Sequence, residues 1–365
     1  MDVIIRIDGR AGRITLNRPR ALNALTLQMV TLMEQALLAW VDDPAVRIVI
    51  IDAAGGRSFC AGGDIAELYD PVKAGDIEAA RRHCRTEYAL DALIATYSKP
   101  VVTLMDGMTM GGGIGISAHA SHTVATENTA ISVPECSVGF VPDSGATHIL
   151  SRAPGHIGEY AALTGVKLNA ADAIDAGFAS VYVVAEKLPE LSAAIAASGE
   201  PDLVFTFAGR PEHAGGLLDR REDIDAVFGL ATLAEIVEAL SARDDDEWHR
   251  ASLRRMNRGS PLSLAMTLRA IQQGRLTPDL AGALRTEYRL VCGCMEHGDF
   301  LEGVRAALID RDREPRWKYG SVEDVPSKVV DGMFAPPESG DFDFIPPGSG
   351  TGWSEPIKVR IGHAG

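Results

Sequence analysis

Apolar and polar positions alternate over residues 3–16, interrupted at Asp8-Gly9 and Gly12, and this period of two predicts a β-hairpin. Thr26 then opens a stretch in which Leu27, Val30, Met33, Leu37 and Leu38 recur at helical spacing to about Trp40, before Asp42-Asp43-Pro44. The unbroken apolar run Ile48-Val49-Ile50-Ile51 predicts a strand buried on both faces, ended by Ala54-Gly55-Gly56. Beyond Gly62-Gly63, Asp64 with Glu67 three residues on predicts a capped helix start. A helix is expected over about 77–97, closed off by Pro100, and the apolar strand 101–105 leads to a second glycine cluster, Gly111-Gly112-Gly113.

Buried strands alternating with helices predict an α/β fold. Residues 157–183 read as helix, turn, helix and strand. From about residue 190 the pattern turns helical, with amphipathic stretches at 230–240, 248–256, 262–272, 280–294 and 300–309. Pro336-Pro337, Pro346-Pro347 and the glycines of 348–352 predict an extended tail. The expected organisation is a core over 1–190 that carries the site, a mainly helical region over 191–333 that completes it, and a tail over 334–365.

Composition narrows the class of function. With 46% hydrophobic and 23% charged residues in 365, the chain reads as a soluble globular protein. Its formal charge of −15 disfavours a general binder of nucleic acid. Five unevenly spaced cysteines (Cys60, Cys84, Cys136, Cys292, Cys294) do not make a disulfide framework and fit a reducing compartment. The opening residues read as strand rather than leader, and no run reaches the roughly 18 apolar residues of a membrane span. A cytoplasmic protein without a membrane partner is the expectation.

The two glycine clusters carry the candidate chemistry. A thioester oxyanion needs two converging N–H donors, and the turns at Gly63 and Gly112 each offer main-chain N–H groups without a Cβ in the way. Glu135 and Asp143 each follow a proline among Val133, Val138, Phe140 and Val141, surroundings more apolar than a loop acid usually has. Two such acids suit proton transfer or nucleophilic attack in acyl transfer. Taken singly, each glycine cluster also fits a plain strand-to-helix turn. A dinucleotide fingerprint counted from Gly111 fails at Ile116. Cys292 and Cys294 with His297 fall short of a four-ligand metal site and read as core thiols, so no metal is expected, and Cys60 reads as packing.

These residues resemble the crotonase, or enoyl-CoA hydratase/isomerase, superfamily. The likeness rests on 17–25 (Asn-Arg-Pro-Arg-Ala-Leu-Asn-Ala-Leu), 59–64, Met110 to Gly113 and Pro134-Glu135, and spans about 3–333. Within the superfamily the chain most resembles the 3-hydroxyisobutyryl-CoA hydrolases, through Phe140-Val141-Pro142-Asp143, 286–290 and 299–306. The resemblance implies a spiral of ββα turns with a helical C-terminal region. It implies an oxyanion hole from Gly63 and Gly112, catalytic Glu135 and Asp143, and substrate contacts from Glu87, Gly112, Glu135 and Asp143. CoA binding falls to Arg20, Ala21, Ala24, Ala61 and Asp64. Glu87 reads equally well as an exposed helix acid. CoA is part of the substrate, so no separate cofactor is expected, and the family admits a homo-oligomer, trimer or hexamer. Gly115 stands where hydratases of the family carry a second catalytic glutamate, which points to hydrolysis of a short branched 3-hydroxyacyl-CoA, as in valine breakdown. Rival readings are an enoyl-CoA hydratase or isomerase, and a CoA-binding protein with vestigial chemistry.

Overall fold

The computed structural model describes residues 1–343 apart from Ala214, Pro278 and Ser339. The predicted hairpin forms from β1 (Val3–Asp8) and β2 (Ala11–Leu16), paired antiparallel with Val3 opposite Leu16. Seven further strands follow among the described residues: β3 (Ile48–Ala53), β4 (Ser58–Cys60), β5 (Val101–Met105), β6 (Met108–Met110), β7 (His122–Ala125), β8 (Ala130–Ser132) and β9 (Val181–Tyr182). They sort into a six-stranded sheet ordered β1-β2-β3-β5-β7-β9 and a three-stranded sheet ordered β4-β6-β8. Pairings after the hairpin are all parallel. Each successive turn of chain gives one strand to each sheet and then a helix, so the core is an α/β spiral of ββα turns, as expected.

The longer strands behave as their composition dictates. Ile48, Val49, Ile50 and Ile51 are all fully buried, as are Val102 and Met105 on β5. Helix α1 (Leu27–Trp40) is capped by Thr26, whose hydroxyl accepts from the Met29 N–H at 3.2 Å, and it buries Met29, Val30, Met33, Leu37 and Trp40. Helices α2 (Ile65–Ala74) and α3 (Ile77–Ala95) complete the second turn. Asp64 caps α2 by accepting from Ala66, but Glu67 reaches back to the Leu27 N–H instead of closing a capping box.

Helix Leu188–Ser198 spans the expected boundary near 190 and packs on the larger sheet through Leu191 and Ile195. The helices Pro261–Gly274, Leu280–His297 and Phe300–Val304 form a second core with α2 and α3, where Leu68, Tyr88, Phe140, Met266, Tyr288 and Phe300 meet. Sequence pattern did not reveal the helices Arg221–Phe228 and Ser327–Met333; the latter buries only Val330 and Met333, too few positions to show a period.

The start of the expected tail is docked. Arg289 pairs with Asp341, Arg285 pairs with Asp343 at 2.9 Å, and the Phe342 ring is buried against Tyr88 and Tyr288, each 5.9 Å away between centroids. Two arginines four residues apart on one helix face draw in two acids that bracket a phenylalanine, and the aromatic slot accepts the ring. The rest of the predicted tail, 344–365, lies outside the described residues.

Candidate active site

The small sheet explains why segments distant in sequence meet. Its three strands are parallel neighbours, so their C-terminal ends share one edge: β4 runs into Ala61-Gly62-Gly63, β6 into Gly111-Gly112, and β8 into Val133-Pro134-Glu135. At the first of these ends, Leu25 bridges to the chain through its N–H to the Gly62 carbonyl (2.8 Å) and through the Asp64 N–H to its own carbonyl (2.7 Å). Because successive peptide groups alternate sides, the Gly63 N–H faces the opposite way. At the second, Gly111 takes φ +47° and Gly112 begins α4 (Gly112–Ala118), whose first N–H groups have no acceptor within the helix.

The two turns touch. A Cβ on Gly112 would lie 3.4 Å from the Gly63 nitrogen and only 1.8 Å from Oε1 of Glu87. A Cβ on Gly63 would lie 3.3 Å from Oε2 of the same acid. A side chain at 112 would therefore have to displace the Glu87 carboxyl, which occupies the space beside both turns. Glu87 is buried on α3, which settles against the exposed-acid reading.

A cavity of about 400 Å³ opens over this edge. Of the sequence-predicted residues it is lined by Ala21, Ala24, Ala61, Gly63, Asp64, Glu87, Gly112, Glu135 and Asp143. Arg20 is the exception: it is exposed on the Pro19–Ala21 turn, outside the lining, because that short turn points Ala21 inward in its place. Asp64 pairs with Arg18 at 2.7 Å as well as capping α2, so it gives the cavity shape rather than a free charge.

Electrostatically the site is a nest of acids under burial. Desolvation first, and then the charge of Asp143, pushes Glu87 and Glu135 up to about 8. Asp143 itself rises to about 6 through burial, opposed by the Tyr88 hydroxyl, which donates to its Oδ2 at 2.8 Å. Glu287 rises to about 7 by burial, although the N–H groups of Gly145 (2.7 Å) and Thr147 (2.9 Å) and the Thr147 hydroxyl (2.5 Å) donate to it. Asp91 is raised well above the usual carboxylate range by burial and by Glu87, Asp143 and Glu287. Glu135 keeps one oxygen, Oε2, with no hydrogen-bond partner. Near neutrality such a cluster holds both protonated acids and a carboxylate of raised basicity, and its protons titrate as a set.

Tyr88, Asp91 and Glu287 were not found from sequence. Asp91 did carry a signal: it stands one helical turn after Glu87 in a run (Tyr88, Ala89, Leu90, Ala92, Leu93, Ile94) that is otherwise apolar. The cysteines are buried thiols, with burial pushing Cys60 up to about 12 and Cys292 to about 11, far from a reactive thiolate.

Comparison with known proteins agrees with this architecture. The family model for enoyl-CoA hydratase/isomerase matches residues 11–334, and the chain belongs to that family. Among curated relatives, "3-hydroxyisobutyryl-CoA hydrolase, mitochondrial" of Gallus gallus is 40% identical over 351 residues, covering 93% of this chain and 90% of the relative. A solved enoyl-CoA hydratase from Rhodobacter sphaeroides 2.4.1 superposes with a TM-score of 0.87 at 45% identity, covering 94% of this chain and all of the other. A carnitinyl-CoA dehydratase from Mycobacterium thermoresistibile gives 0.88 at 39% identity, covering 93% and 98%.

The chicken relative's name corrects the expectation of a cytoplasmic protein, since that relative is mitochondrial. The expectation leaned on opening residues that read as strand and on free cysteines, which report a reducing compartment without saying which one. No helix among the described residues is long and apolar enough to cross a membrane.

Proposed function

We propose that this chain hydrolyses the thioester of a short branched 3-hydroxyacyl-CoA, 3-hydroxyisobutyryl-CoA in the first instance, as in valine breakdown. The observation that carries the reading is the juxtaposition of Glu135 and Asp143 with the glycine turns at 63 and 112 on one cavity. The thioester carbonyl oxygen rests against the Gly63 and Gly112 N–H groups, which stabilise its developing charge. Glu135, as carboxylate, attacks the carbonyl carbon or takes a proton from water that does so. Where Glu135 attacks, the C–S bond breaks as an acyl–Glu135 anhydride forms, and water then cleaves that anhydride to give the acid and free Glu135; where Glu135 activates water, the water oxygen forms the new C–O bond as C–S breaks; by either route the proton lost by water ends on the CoA sulfur. Asp143 orients the substrate hydroxyl or carries that proton. CoA leaves as product, so no separate cofactor enters the proposal. Arg20, at the exposed rim, and the alanines of 21, 24 and 61 are proposed to receive the CoA portion.

A second reading, hydration of an enoyl-CoA, draws on the names of the two solved structures. Against it stands Gly115, where even a Cβ would lie 2.5 Å from Oδ1 of Asp91, so no second acid side chain reaches the cavity from that position. Thiol release from 3-hydroxyisobutyryl-CoA, measured beside loss of crotonyl-CoA absorbance, separates the two. Fast thiol release with negligible hydration is expected; the reverse pattern overturns the hydrolase reading. Light scattering of the purified protein tests the trimer or hexamer proposed with it.

A further inference from the structure

The chain turns sharply just after the candidate acid Asp143. Ser144 has φ +55° and Gly145 φ +79°, two successive left-handed residues, before the short helix Ala146–Leu150 begins. Left-handed backbone costs a residue with a Cβ about 1 kcal/mol or more, so Ser144 keeps it where surrounding groups hold the turn. The first N–H groups of the helix also lack acceptors within it. The Ala146 N–H returns to the Asp143 carbonyl at 2.9 Å, which leaves those of Gly145 and Thr147 to be met from outside.

Glu287, on helix Leu280–His297, meets both. It is fully buried and spends its two carboxyl oxygens on this turn: Oε2 accepts from the Gly145 N–H at 2.7 Å, and Oε1 from the Thr147 N–H at 2.9 Å and from the Thr147 hydroxyl. These bonds are what offsets burying the acid. From the other side, Nε2 of His119 lies 3.1 Å from the Ser144 carbonyl, and since a carbonyl only accepts, that nitrogen donates. A Cβ at Gly145 would fall 2.3 Å from the same nitrogen, so the turn sits directly against the ring. His119 ends α4, the helix that begins at Gly112, and one element thus joins the turn behind Asp143 to the proposed oxyanion turn. The Asp143 carboxyl accepts from Tyr88 at 2.8 Å, and its backbone leads straight into the clamped residues.

We propose that Glu287 is a positioning residue: a buried carboxyl that caps the helix behind Asp143 from across the fold and, opposite His119, fixes the left-handed turn that aims Asp143 at Tyr88 and the cavity. It does not line the cavity and acts through the backbone of 144–147. The kinetic part of the proposal rests on Asp143 serving the thioester reaction; the structural part does not.

The test is a double-mutant cycle in the full chain between Glu287→Gln and Asp143→Asn, read as kcat on 3-hydroxyisobutyryl-CoA. A carboxamide keeps the shape of the carboxyl but has one accepting oxygen, so either Gly145 or Thr147 is left facing an NH2 group. Alone, Glu287→Gln is expected to lower kcat at least about tenfold with KM little changed. In the Asp143→Asn background the same change should cost less than about threefold, because the group it aims is already disabled. A general loss of folding or packing would instead lower both backgrounds by the same factor. Losses that multiply in the double variant, or a wild-type kcat in Glu287→Gln, overturn the proposal. If Glu287→Gln does not fold, Thr147→Val, which removes the hydroxyl donor alone, runs the same cycle: a few-fold loss that vanishes in Asp143→Asn supports the proposal, and one that persists there overturns it. A crystal structure of the folded variant reads the positioning without turnover. Ser144 leaving the left-handed region with loss of the Tyr88–Asp143 bond supports the clamp, and an unchanged turn with that bond intact overturns it even if the activity assigned to the protein is wrong.

Discussion

The Tyr88 hydroxyl donates a 2.8 Å hydrogen bond to Oδ2 of Asp143 from a side chain fully closed to solvent. The bond opposes burial, favouring the charged form of Asp143 and limiting its rise to about 6. Tyr88 is itself met edge-on by Phe342, near the end of the described residues, so the C-terminal segment is two contacts away from a candidate catalytic acid.

Replacing Tyr88 with Phe removes one hydrogen-bond donor and keeps the ring. The pKa of Asp143 should then rise, because the interaction lost was one that favoured its carboxylate. In the proposed role of acceptor for the substrate hydroxyl Asp143 would work ionised, so the acid limb of the kcat/KM profile should move to higher pH. About a tenfold loss is expected at pH 6.5, the scale of a hydrogen bond to a charged group, with a smaller loss at pH 8.5. A uniform loss across pH would detach Tyr88 from the titration of Asp143.

Phe342→Ala should cost about 3 kcal/mol of stability, since the ring is almost completely buried between Tyr88 and Tyr288. Denaturant melts measure this directly. Because the ring abuts Tyr88, kcat should fall as well, by a few-fold. A variant as stable as the wild type would show that the segment around 342 does not dock in solution.

The two glycine turns and both candidate acids were legible in the sequence because their signals are local: glycine runs after an apolar strand, and acids in apolar surroundings. The spiral itself was legible only through family resemblance. Strands of three residues such as β4, β6 and β8 are too short to show a period, yet they are what bring Gly63, Gly112 and Glu135 together. Tyr88 and Glu287 were missed for a different reason. The contacts of Tyr88 and Glu287 span more than fifty residues of sequence (Tyr88 to Asp143) or about 140 (Glu287 to Thr147), which no local pattern encodes, whereas Asp91 did carry a local signal as an acid in an apolar run. Docking of Phe342 was hidden in the same way, inside a segment whose Pro and Gly content reads as loop.

Gly112→Ala tests the close approach at the proposed oxyanion turn. Its Cβ would fall 1.8 Å from Oε1 of Glu87, so either the Glu87 side chain or the turn must move. Loss of one well-placed oxyanion donor typically lowers kcat by 100-fold or more, and a loss of about that size is expected. Combining it with Glu87→Ala relieves the clash and should restore the melting temperature, which ties the destabilisation to the Glu87 contact. Full activity in Gly112→Ala would mean that the carbonyl oxygen lies elsewhere.

Glu135→Gln should separate catalysis from stability. A carboxamide cannot attack or accept a proton as the carboxylate does, so kcat should drop at least about 100-fold while the substrate still binds. Stability should move the other way with pH. Glu135 is raised from 4.5 to about 8 in the folded chain, so between those values the folded state keeps a proton that the unfolded state has released. Raising pH through this window therefore favours unfolding of the wild type, and that contribution is lost once pH passes the folded value. Gln has nothing to titrate, so the melting temperature of Glu135→Gln relative to wild type should climb from pH 5 to pH 8.5 and level off beyond. Differential scanning calorimetry at four or five pH values measures it. A difference that stays flat over that range would mean that Glu135 is already ionised at pH 5 and that burial does not hold its proton.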